Sequence, residues 1–562
     1  MERAHDPTAW WQKTTVYQIY PRSFFDANGD GIGDLPGILA KLDHLSSLGV
    51  ETLWLSPFFE SPQRDFGYDI SSYARVSADH GTWADFETLI SEVHRRGMRI
   101  VIDMVLNHTS DQHPWFRAAL RSKDSPERDY YLFRPGKGPG KNQPPTNWRS
   151  MIGPRGWHRD GDSGDYYFAS FLPFQPDLNH RNPTVQRAMF DIIERFVRLG
   201  VDGLRLDIFN ALYKDDRFLD NPPSLRPLPS EDNADGFFQR NLYTINHPDS
   251  IAFARTLRAF VDSLPGGPRF LVGEVFGPPS LLRSYCGEHA DGLNLVFLFK
   301  TLRTEFSAAA FYALIEEYER DFADPLLPTW VLGNHDRARY IERLGDDPRR
   351  AKVLATLQLS ARGVPFVYQG EEIGMTNLDL PIATALDPLA HFYRFVPPWL
   401  QRLLRRKGVL INRDECRTPM QWTADDNAGF SPPGKRPWLP VHPSYPWTNV
   451  AAQLHDPQSL LAHYRRLFQL RQNTPALHAG RLVLWHPTNL PRDVLGYRRE
   501  HGDDRLDVLL NFSDARREVS IPQPHHVLFT SHPDAPQTAG STLRLRPFES
   551  VILRREAQGV GR

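Results

Sequence analysis

Eight short apolar segments recur between residues 14 and 370 of this 562-residue chain, and most are followed by a stretch with the period of an amphipathic helix. Segments of this length, rich in Val, Ile, Leu and aromatic residues, are typical of buried strands. Alternating strands and helices favour a parallel α/β architecture, and eight such units predict a closed (β/α)8 TIM barrel whose site lies where the strands end. The predicted strands are residues 14–20, 51–57, 99–105, 203–207, 270–275, 292–297, 329–336 and 364–370, and the predicted helices are residues 83–96, 183–199, 250–263, 304–320, 349–360 and 459–472.

Two long interruptions and a different pattern at the end divide the chain. Residues 107–181 run through Trp, Tyr, Pro and Gly without a sustained helical period, which predicts a small domain inserted after the third strand. A second long segment, residues 375–447, precedes the last barrel helix, and alternation from about residue 482 predicts an all-β terminal domain. The predicted divisions are residues 1–106 and 182–478 for the barrel, 107–181 for the insertion and 479–562 for the terminal domain.

Composition narrows the class of partner. The formal net charge of −1 gives no long-range field for nucleic acid or an anionic lipid surface, so a neutral small molecule is the expected partner. Cys286 and Cys416 are the only cysteines, which excludes a disulfide framework and a zinc site built from cysteines. No run approaches the roughly 18 apolar residues of a membrane span, and the first residues lack an apolar signal core, so we expect a cytoplasmic protein.

Charged side chains interrupt the apolar strand at residues 203–207. Arg205 and Asp207 are two residues apart, so a strand presents both on one face at its carboxyl end. Taken alone, the pair is explained equally well as a structural ion pair inside a sheet. Several carboxylates without a thiol, a phosphate loop or a metal cluster favour glycoside hydrolysis, in which one carboxylate attacks or activates water and another protonates the leaving oxygen. Further polar residues fall at the same ends of other predicted strands: Asp103, His108, Glu274, His335 and Asp336.

Five short motifs occur in order: DMVLNH (103–108), QPDLN (175–179), GLRLD (203–207), GEV (273–275) and LGNHD (332–336). Together they resemble the motif regions of the α-amylase family, glycoside hydrolase family 13, and QPDLN resembles its oligo-1,6-glucosidase and α-glucosidase branch. The resemblance covers essentially the whole chain. It implies a TIM barrel with a domain inserted after strand 3 and a C-terminal antiparallel β-sandwich, and it implies retaining, exo-acting hydrolysis of terminal α-linked glucose from short oligosaccharides or α-glucosides.

The resemblance also implies a role for each motif residue. Asp207 would be the nucleophile, Glu274 the general acid and base, and Asp336 the stabiliser of the transition state. We expect Arg205 to keep Asp207 ionised, and the apolar neighbours of Glu274 to raise its pKa for proton donation. Two histidines would donate hydrogen bonds to sugar hydroxyls and one aspartate would orient its neighbours, these being His108, His335 and Asp103 in that order.

In the exo-acting branch that this chain resembles, an Asp of a GYD motif and an Arg of RTPMQW close the pocket around the terminal glucose. These residues match Asp69 and Arg417. A carboxylate opposite a guanidinium suits vicinal hydroxyls, since one group accepts and the other donates. The alternative is a surface salt bridge between two loops. Arg413 is a second candidate at the rim, and Tyr68 either stacks on the sugar or belongs to the core.

The loop DANGDGIGD (26–34) spaces oxygen-bearing side chains evenly, with glycines that let it curl around a hard cation. It is not an EF-hand, because Gly37 stands where that motif requires Glu. The resemblance implies bound Ca²⁺ or Mg²⁺ with a structural role, and the Ile32 carbonyl as a further ligand. The alternative is a metal-free loop of Asx turns. The predicted side-chain ligands are Asp26, Asn28, Asp30 and Asp34.

Two other functions compete with hydrolysis. A transglycosylating relative, such as an α-glucosyltransferase, a trehalose synthase or a sucrose isomerase, shares every motif and differs in which acceptor reaches the intermediate. A catalytically silent member, serving as a transporter subunit or binding module, is disfavoured because Asp207, Glu274 and Asp336 are all intact.

The linkage that is cleaved is tied to Ile208, which follows the proposed nucleophile. In the branch that the chain resembles, this position looks like Val in enzymes that cleave α-1,6 bonds and Thr in those confined to α-1,4 bonds. An apolar residue therefore favours α-1,6 bonds, although Ile is larger than Val, and we expect tolerance of both. A strand reverses side-chain direction at each residue, so Ile208 shares the face of Asp207 only if the chain bends there.

Overall fold

The computed structural model describes residues 9–555 apart from residues 162, 227–229, 231, 234, 522–524, 533–537 and 540. Its central sheet has eight strands, which are β1 (Val16–Ile19), β2 (Thr52–Leu55), β3 (Arg99–Val105), β4 (Gly203–Asp207), β5 (Phe270–Gly273), β6 (Leu295–Val296), β7 (Thr329–Val331) and β8 (Val364–Tyr368). They lie in the order β6-β5-β4-β3-β2-β1-β8-β7 and pair in parallel. Each falls within a predicted strand, and the prediction of a TIM barrel is confirmed.

A side chain joins β6 to β7, the two ends of this ladder. The Thr329 hydroxyl donates to the Val296 carbonyl oxygen at 3.0 Å and accepts from the Leu298 amide at 2.8 Å. A buried hydroxyl has both a donor and an acceptor, so one residue can bridge the two strands.

Side chains alternate between the interior of the barrel and the layer beneath its helices. Val101 belongs to the interior apolar cluster, while Ile100 and Ile102 belong to the outer one, as the two-residue period of a strand requires. The next interior position on this strand is Asp103, which is buried. The interior therefore changes from apolar to polar toward the carboxyl ends. Its apolar part is Val16, Trp54, Val101, Phe270, Val272, Leu295, Phe297, Val331 and Phe366.

The barrel helices begin and end where the sequence supplies caps. Pro183–Leu199 begins after Asn182, whose side chain accepts from the Thr184 amide, and ends at Gly200, which has a φ of 111°. A positive φ favours glycine, which has no Cβ. The other long helices are Trp83–Arg95, Pro248–Ser263, Ala308–Asp321, Pro348–Ser360 and Leu460–Gln472, and shorter ones are Leu35–Ala40, Leu42–Leu48 and Pro279–Cys286. Within the described ranges, no helix is both long and apolar enough to cross a bilayer.

Two segments rise above the carboxyl ends of the strands. The inserted segment, residues 107–181, contains the helix Pro114–Arg121 and a three-stranded antiparallel sheet. The strands of that sheet are Phe133–Pro135, Trp157–Arg159 and Asp165–Phe168, with the last in the middle. The rim segment, residues 375–447, is built from short turns and the helix Pro398–Arg406.

The C-terminal part is antiparallel. A six-stranded sheet and a separate two-stranded ladder contribute to one apolar cluster, which includes Leu509 of the sheet and Val519 of the ladder. The six strands are Arg481–Leu484, Val494–His501, Asp504–Asn511, Ser550–Arg555, His525–Thr530 and Thr538–Ala539, and the ladder pairs Arg517–Ser520 with Thr542–Leu545. The boundaries drawn between domains from the sequence remain predictions, and residues 1–8 and 556–562 lie outside the described residues.

Candidate active site

Arg205 is the centre of the charged cluster at the carboxyl ends of the strands. Its side chain is fully buried, and its Nη1 donates to Oδ1 of Asp103 and to Oδ1 of Asp207, each at 2.7 Å. Its Nη2 donates to Oε2 of Glu274. Asp103 and Arg205 are paired in register across β3 and β4, and Asp207 follows on the same face. One guanidinium therefore holds carboxylates from three neighbouring strands.

Burial raises the pKa of two of the carboxyls that line the cavity, Glu274 and Asp207. The pKa of Glu274 rises to about 7, with Arg205 opposing the effect of burial. The pKa of Asp207 also rises to about 7, because burial and the charges of Asp103 and Asp336 outweigh Arg205. Arg205 lowers the pKa of Asp207, as predicted. The net shift of that pKa is nevertheless upward, so the prediction that Arg205 keeps Asp207 ionised is wrong. Because the two carboxyls lie close together and have similar pKa values, they titrate as a coupled pair near neutral pH.

Asp336 is the permanent carboxylate of the site. Burial opposes its ionisation, but His335, Arg413 and Arg417 outweigh burial and hold its pKa well below the usual range. Arg417 Nη2 lies 2.6 Å and Arg413 Nη1 lies 3.1 Å from Asp336 Oδ1. Asp336 is half-buried and lines the cavity, so its second oxygen offers negative charge to a bound ligand.

His335 lies behind the cavity and does not line it. Its ring stacks between Tyr20 and Tyr68, with centroids 5.6 and 5.4 Å away. Its Nδ1 accepts from the Gln18 amide at 2.7 Å, which places the ring proton on Nε2, 2.7 Å from the Tyr68 hydroxyl and 3.1 Å from Asp336. Burial lowers its pKa well below the ordinary value, so the imidazole is neutral. His335 orients Asp336 and Tyr68.

His108 and Asp103 occupy different depths. His108 lines the cavity, its Nε2 lies 3.2 Å from the Tyr68 carbonyl oxygen, and burial lowers its pKa to about 4. Asp103 lies behind Arg205, where its Oδ2 accepts from the Tyr68 hydroxyl at 3.0 Å and from Trp54 Nε1 at 3.2 Å. Burial raises the pKa of Asp103 to about 6 against the effect of Arg205. Asp103 thus orients its neighbours, as expected.

The pairing of Asp69 with Arg417 across the pocket is wrong. Asp69 is fully buried, and its carboxylate accepts from the Ser61 hydroxyl at 2.8 Å and from the amides of Arg64 and Asp65 at 3.1 Å. Its hydrogen bonds close its own turn, so it does not face the ligand. Arg417 is also buried, and it reaches the cavity only through Asp336.

The carboxylate and guanidinium that meet across the pocket are Asp65 and Arg413. Arg413 Nη2 lies 2.8 Å from Asp65 Oδ1, and Gln175 Nε2 donates to Asp65 Oδ2 at 2.9 Å. Asp387 holds the far side of the same guanidinium, with its Oδ1 2.7 Å from Nη2. Arg413, given as a second candidate, therefore lines the cavity. Asp65, Gln175 and Asp387 were not predicted, although Gln175 opens the QPDLN motif and Asp65 lies three residues before Tyr68.

The chain bends immediately after Asp207. Ile208 has φ 41° and ψ 46°, a left-handed conformation that is rare for a β-branched residue. The bend breaks strand alternation and turns Ile208 into the same cavity as Asp207. Ile208 therefore shares the face of Asp207, which was expected only if the chain bends there. Such strain persists only where the surrounding structure fixes it, which suits a residue at a site.

These side chains enclose a cavity of about 160 Å³. This is below the range of about 300–1,000 Å³ for drug-sized ligands, so the enclosed part suits one small ring. The polar floor is buried and consists of Asp65, Tyr68, His108, Gln175 and Glu274. The apolar wall consists of Ile152, Phe171, Leu172, Ile208, Phe276, Leu389 and Leu410. Asp207, Asp336, Arg337 and Arg413 lie between them, all half-buried.

The loop predicted to bind a cation folds on its own backbone. Asp26 accepts from the amides of Gly29, Asp30 and Gly31, with distances of 2.6, 3.3 and 2.8 Å. Asp34 accepts from three other amides, including that of Gly37 at 2.6 Å, and precedes the helix Leu35–Ala40. Within the described part of the chain, no three His, Cys, Asp or Glu side chains converge as metal ligands. The arrangement fits Asx turns directly and a cation only after the donors reorient.

Comparison with known proteins identifies the same family that the sequence motifs resemble. Residues 18–480 match the alpha amylase catalytic domain. The chain is 36% identical to an oligo-1,6-glucosidase of Parageobacillus thermoglucosidasius, over 97% of this chain and 98% of the relative. It is 38% identical to a probable alpha-glucosidase of Rhizobium meliloti, over 91% of each chain. The solved structure of the alpha-glucosyl transfer enzyme XgtA superposes with a TM-score of 0.86 at 34% identity, covering 98% of this chain and all of that one. The chain belongs to the α-amylase family of glycoside hydrolases.

Proposed function

We propose that this chain is a retaining, exo-acting α-glucosidase that releases terminal α-linked glucose from short oligosaccharides and α-glucosides. The observation that carries the proposal is the position of Arg205, which bonds Asp207 with one nitrogen and Glu274 with the other. A single planar guanidinium spans only closely spaced carboxyls. Retaining enzymes hold theirs about 5–5.5 Å apart, whereas inverting enzymes need about 6.5–9.5 Å to admit a water.

The first step forms a glucosyl-enzyme. The Asp207 carboxylate bonds to C1 of the glucose as the bond from C1 to the leaving oxygen breaks, and Glu274 gives its proton to that oxygen. A pKa of about 7 for Glu274 supports this role, because the group stays protonated below neutral pH and begins to lose its proton only near pH 7. Asp336, which stays ionised, stabilises the positive charge that develops on the sugar.

The second step releases glucose. Glu274, now ionised, takes a proton from water as the water oxygen bonds to C1 and the Asp207 carboxylate leaves. Two successive inversions return the α configuration at C1. Arg205 contacts both carboxyls, so it balances their charge through both steps.

Exo action follows from the closed end of the cavity. The bridge between Asp65 and Arg413 joins the loop after β2 to the rim segment, and Gln175 of the inserted segment donates to it. A glucose between this bridge and Asp207 has no exit for a further residue at its non-reducing end. The bridge offers both an acceptor and donors for the vicinal hydroxyls of the terminal sugar.

The test is a time course of isomaltose and maltose cleavage followed by proton NMR. We expect α-glucose to appear first and to mutarotate later. Initial release of β-glucose would overturn retention, and no glucose from either disaccharide or from p-nitrophenyl α-glucoside would overturn the proposed function.

Glucosyl transfer is a second candidate activity. It is supported by the structural likeness to an alpha-glucosyl transfer enzyme over nearly the whole chain. Transfer differs from hydrolysis only in that an acceptor hydroxyl replaces water at C1, so the same time course decides it. Products larger than the substrate, exceeding free glucose at all substrate concentrations, would make transfer the main activity.

Two further proposals concern the setting of the enzyme. Cys286 and Cys416 are buried free thiols, which is consistent with a cytoplasmic location, where thiols stay reduced. The oxygen-rich loop at residues 26–34 would hold Ca²⁺ or Mg²⁺ in a structural role.

A further inference from the structure

The cavity is polar at one end and apolar at the other. Every residue of the polar floor is buried, whereas four residues of the apolar wall are half-buried. The floor therefore lies at the bottom and the wall toward solvent, on the side from which a leaving group departs. The half-buried members of the wall are Ile152, Phe171, Phe276 and Leu389.

The wall is assembled from three parts of the chain. Ile152 and Phe171 belong to the inserted segment, and Leu389 and Leu410 belong to the rim segment. Ile208 and Phe276 follow barrel strands. Phe171 and Phe276 also pack against an apolar cluster that contains Ile208. The strained backbone at Ile208 is what places an aliphatic side chain in this cluster beside Asp207.

Leu389 and Leu410 are held in place by polar and apolar contacts. Asp387 accepts from the Leu389 amide at 3.0 Å with the same oxygen that contacts Arg413, so the wall and the bridge at the floor are coupled. Ile411 and Val409 pack in a small core of the rim segment, which leaves Leu410 to face the cavity. Contacts within the protein therefore fix the orientation of Leu389 and Leu410, whether or not a ligand is bound.

An aromatic ring continues the wall outward. Phe392 lies one turn after Leu389, and its amide donates to the Leu389 carbonyl oxygen at 3.1 Å. A Cβ on Gly153 would lie 3.3 Å from a ring carbon of Phe392, so the ring rests on the backbone next to Ile152. Phe392 is still 43% exposed. The inserted segment and the rim segment therefore meet at an apolar, partly solvated edge.

A second sugar would find few partners at this wall. Of the charged side chains beside it, Asp207, Asp336 and Arg413 are assigned above to the terminal glucose. Arg337 lies against the rings of Phe276 and Phe299, 6.0 and 5.9 Å from their centroids. Hydroxyls brought against apolar side chains lose hydrogen bonds to water without replacement. An alkyl or aryl group at the same place gains by leaving water.

We propose that this wall is a subsite for an apolar aglycone, and that the preferred substrates are alkyl and aryl α-glucosides. The inference rests on the proposed α-glucosidase activity and specifies its leaving-group side. The leaving alcohol takes its proton from Glu274 in the step described above, and no further reactant is needed.

The test is a series of α-glucosides with methyl, propyl, butyl, pentyl and hexyl aglycones, compared with isomaltose. From propyl onward the leaving alcohols are chemically alike, so differences report binding at the wall. We expect kcat/KM to rise by about fourfold per methylene until the chain leaves the wall, as burial of a methylene predicts. Hexyl glucoside should exceed isomaltose. A flat series, with isomaltose the better substrate, would overturn the inference while leaving the α-glucosidase intact.

Variants separate the wall from general damage. Leu389→Asn should lower the hexyl-to-methyl ratio of kcat/KM by roughly tenfold, since a polar group removes the gain from burial. The ratio of kcat/KM for hexyl glucoside to that for isomaltose should fall as well, because a second sugar gains less than an alkyl chain from an apolar wall. Leu386→Asn is the matched control, because Leu386 is 50% exposed on the same segment and does not line the cavity.

Phe392→Ser is a second variant that leaves the barrel untouched, and it should lower the hexyl value more than the butyl value. Equal losses on every substrate in both variants, or a ratio moved as much by Leu386→Asn, would refute the subsite. Loss of all activity in the wild type would refute the proposed function instead.

Discussion

The floor and the wall of the cavity are built in different ways. The floor is held by buried ion pairs: Arg205, fully buried, bonds Glu274 and carboxylates of neighbouring strands, and Arg413 bonds Asp65. The wall comes largely from two segments above the barrel, and its residues pack in small clusters that remain partly open to solvent. The floor holds charges in fixed positions at low dielectric, whereas the wall offers apolar surface that imposes no particular orientation on a ligand. Chemistry is therefore assigned to the floor together with Asp207 and Asp336, and selectivity is assigned to the wall.

The difference also sets what a substitution costs. A charge removed from the floor leaves a buried partner uncompensated, because each carboxylate there shares Arg205 or Arg413. A side chain exchanged at the wall changes only the area that a ligand covers. We therefore expect large effects on rate at the floor and moderate effects on substrate ratios at the wall.

The largest effect is expected for Asp207→Asn. The amide keeps the shape of the side chain but does not attack C1, so kcat should fall by on the order of 10⁴-fold or more. The measurement is kcat on p-nitrophenyl α-glucoside, with the melting temperature as the control for folding. A variant that keeps a tenth of the wild-type rate would show that another group is the nucleophile.

Glu274→Gln should discriminate between leaving groups. Loss of proton donation should cost about 10²–10⁴-fold on maltose, and far less on an aryl glucoside whose leaving group needs little protonation. The wild-type rate should fall as pH rises above about 7, because Glu274 then loses the proton that it donates. It should also fall at lower pH, as Asp207 becomes protonated.

In Glu274→Gln the alkaline decline should disappear on the aryl glucoside. Pre-steady-state rates of aryl release over pH 5–9 measure both limbs. Equal losses on maltose and aryl glucoside, with the alkaline limb retained, would assign the acid elsewhere.

Asp65→Ala and Asp69→Ala test which carboxylate closes the floor. Asp65→Ala should lower kcat/KM by about tenfold to a hundredfold, which is the range for hydrogen bonds to a charged group. Asp69→Ala should mainly lower the melting temperature, because the turn loses three hydrogen bonds from its own loop. Steady-state kinetics and thermal unfolding of both variants decide. If Asp69→Ala lost catalysis at an unchanged melting temperature, the assignment from the GYD motif would stand after all.

This pair shows where sequence reasoning ends. Asp207 and Glu274 were placed correctly because strand alternation fixes where they point. Asp65 lies in a loop, where its direction depends on the positive φ values of Phe66 and Gly67 that follow it, 48° and 104°. No period in the sequence reveals such a turn, and the GYD motif indicates the neighbouring Asp69 instead.

The same limit applies to two other residues. His335 falls at a strand end as predicted, yet stacking on Tyr20 and Tyr68 turns it away from the cavity. Ile208 departs from the side-chain alternation of a strand, because its backbone is left-handed. Registers and strand ends are encoded locally, whereas turns and ring stacking depend on residues far apart in the chain.

Ile208→Thr should have a moderate effect at the boundary between floor and wall. We expect the isomaltose-to-maltose ratio of kcat/KM to fall by about tenfold, which corresponds to about 1.4 kcal/mol of lost differential stabilisation. Ile208→Val is the matched control, because it keeps an apolar β-branched side chain in the same strained conformation. A ratio that the Thr variant leaves unmoved, or a wild type inert on isomaltose, would transfer control of linkage to the rim segment.

The smallest effect is expected from removal of the cation, which should change substrate preference at the wall more than the rate of the chemistry at the floor. The loop at residues 26–34 supports the rim segment, since the Asp26 amide donates to the Phe430 carbonyl oxygen at 3.0 Å and the Trp438 amide donates to that of Gly31 at 2.9 Å. A cation bound only to the folded loop would stabilise the protein by linkage, so chelation should lower the melting temperature by a few degrees.

Because the loop carries no group of the floor, chelation should leave the rate on p-nitrophenyl α-glucoside within about twofold. The preference among alkyl glucosides should shift, since the rim segment supplies Leu389 and Leu410. Asp30→Ala is the control, because Asp30 is exposed and its loss should remove the response to chelator while sparing the core of the turn. A melting temperature that ignores the chelator, together with no metal by elemental analysis, would show that Asx turns alone hold the loop. The coupling between loop and wall would then rest on the two backbone hydrogen bonds, which need no ion.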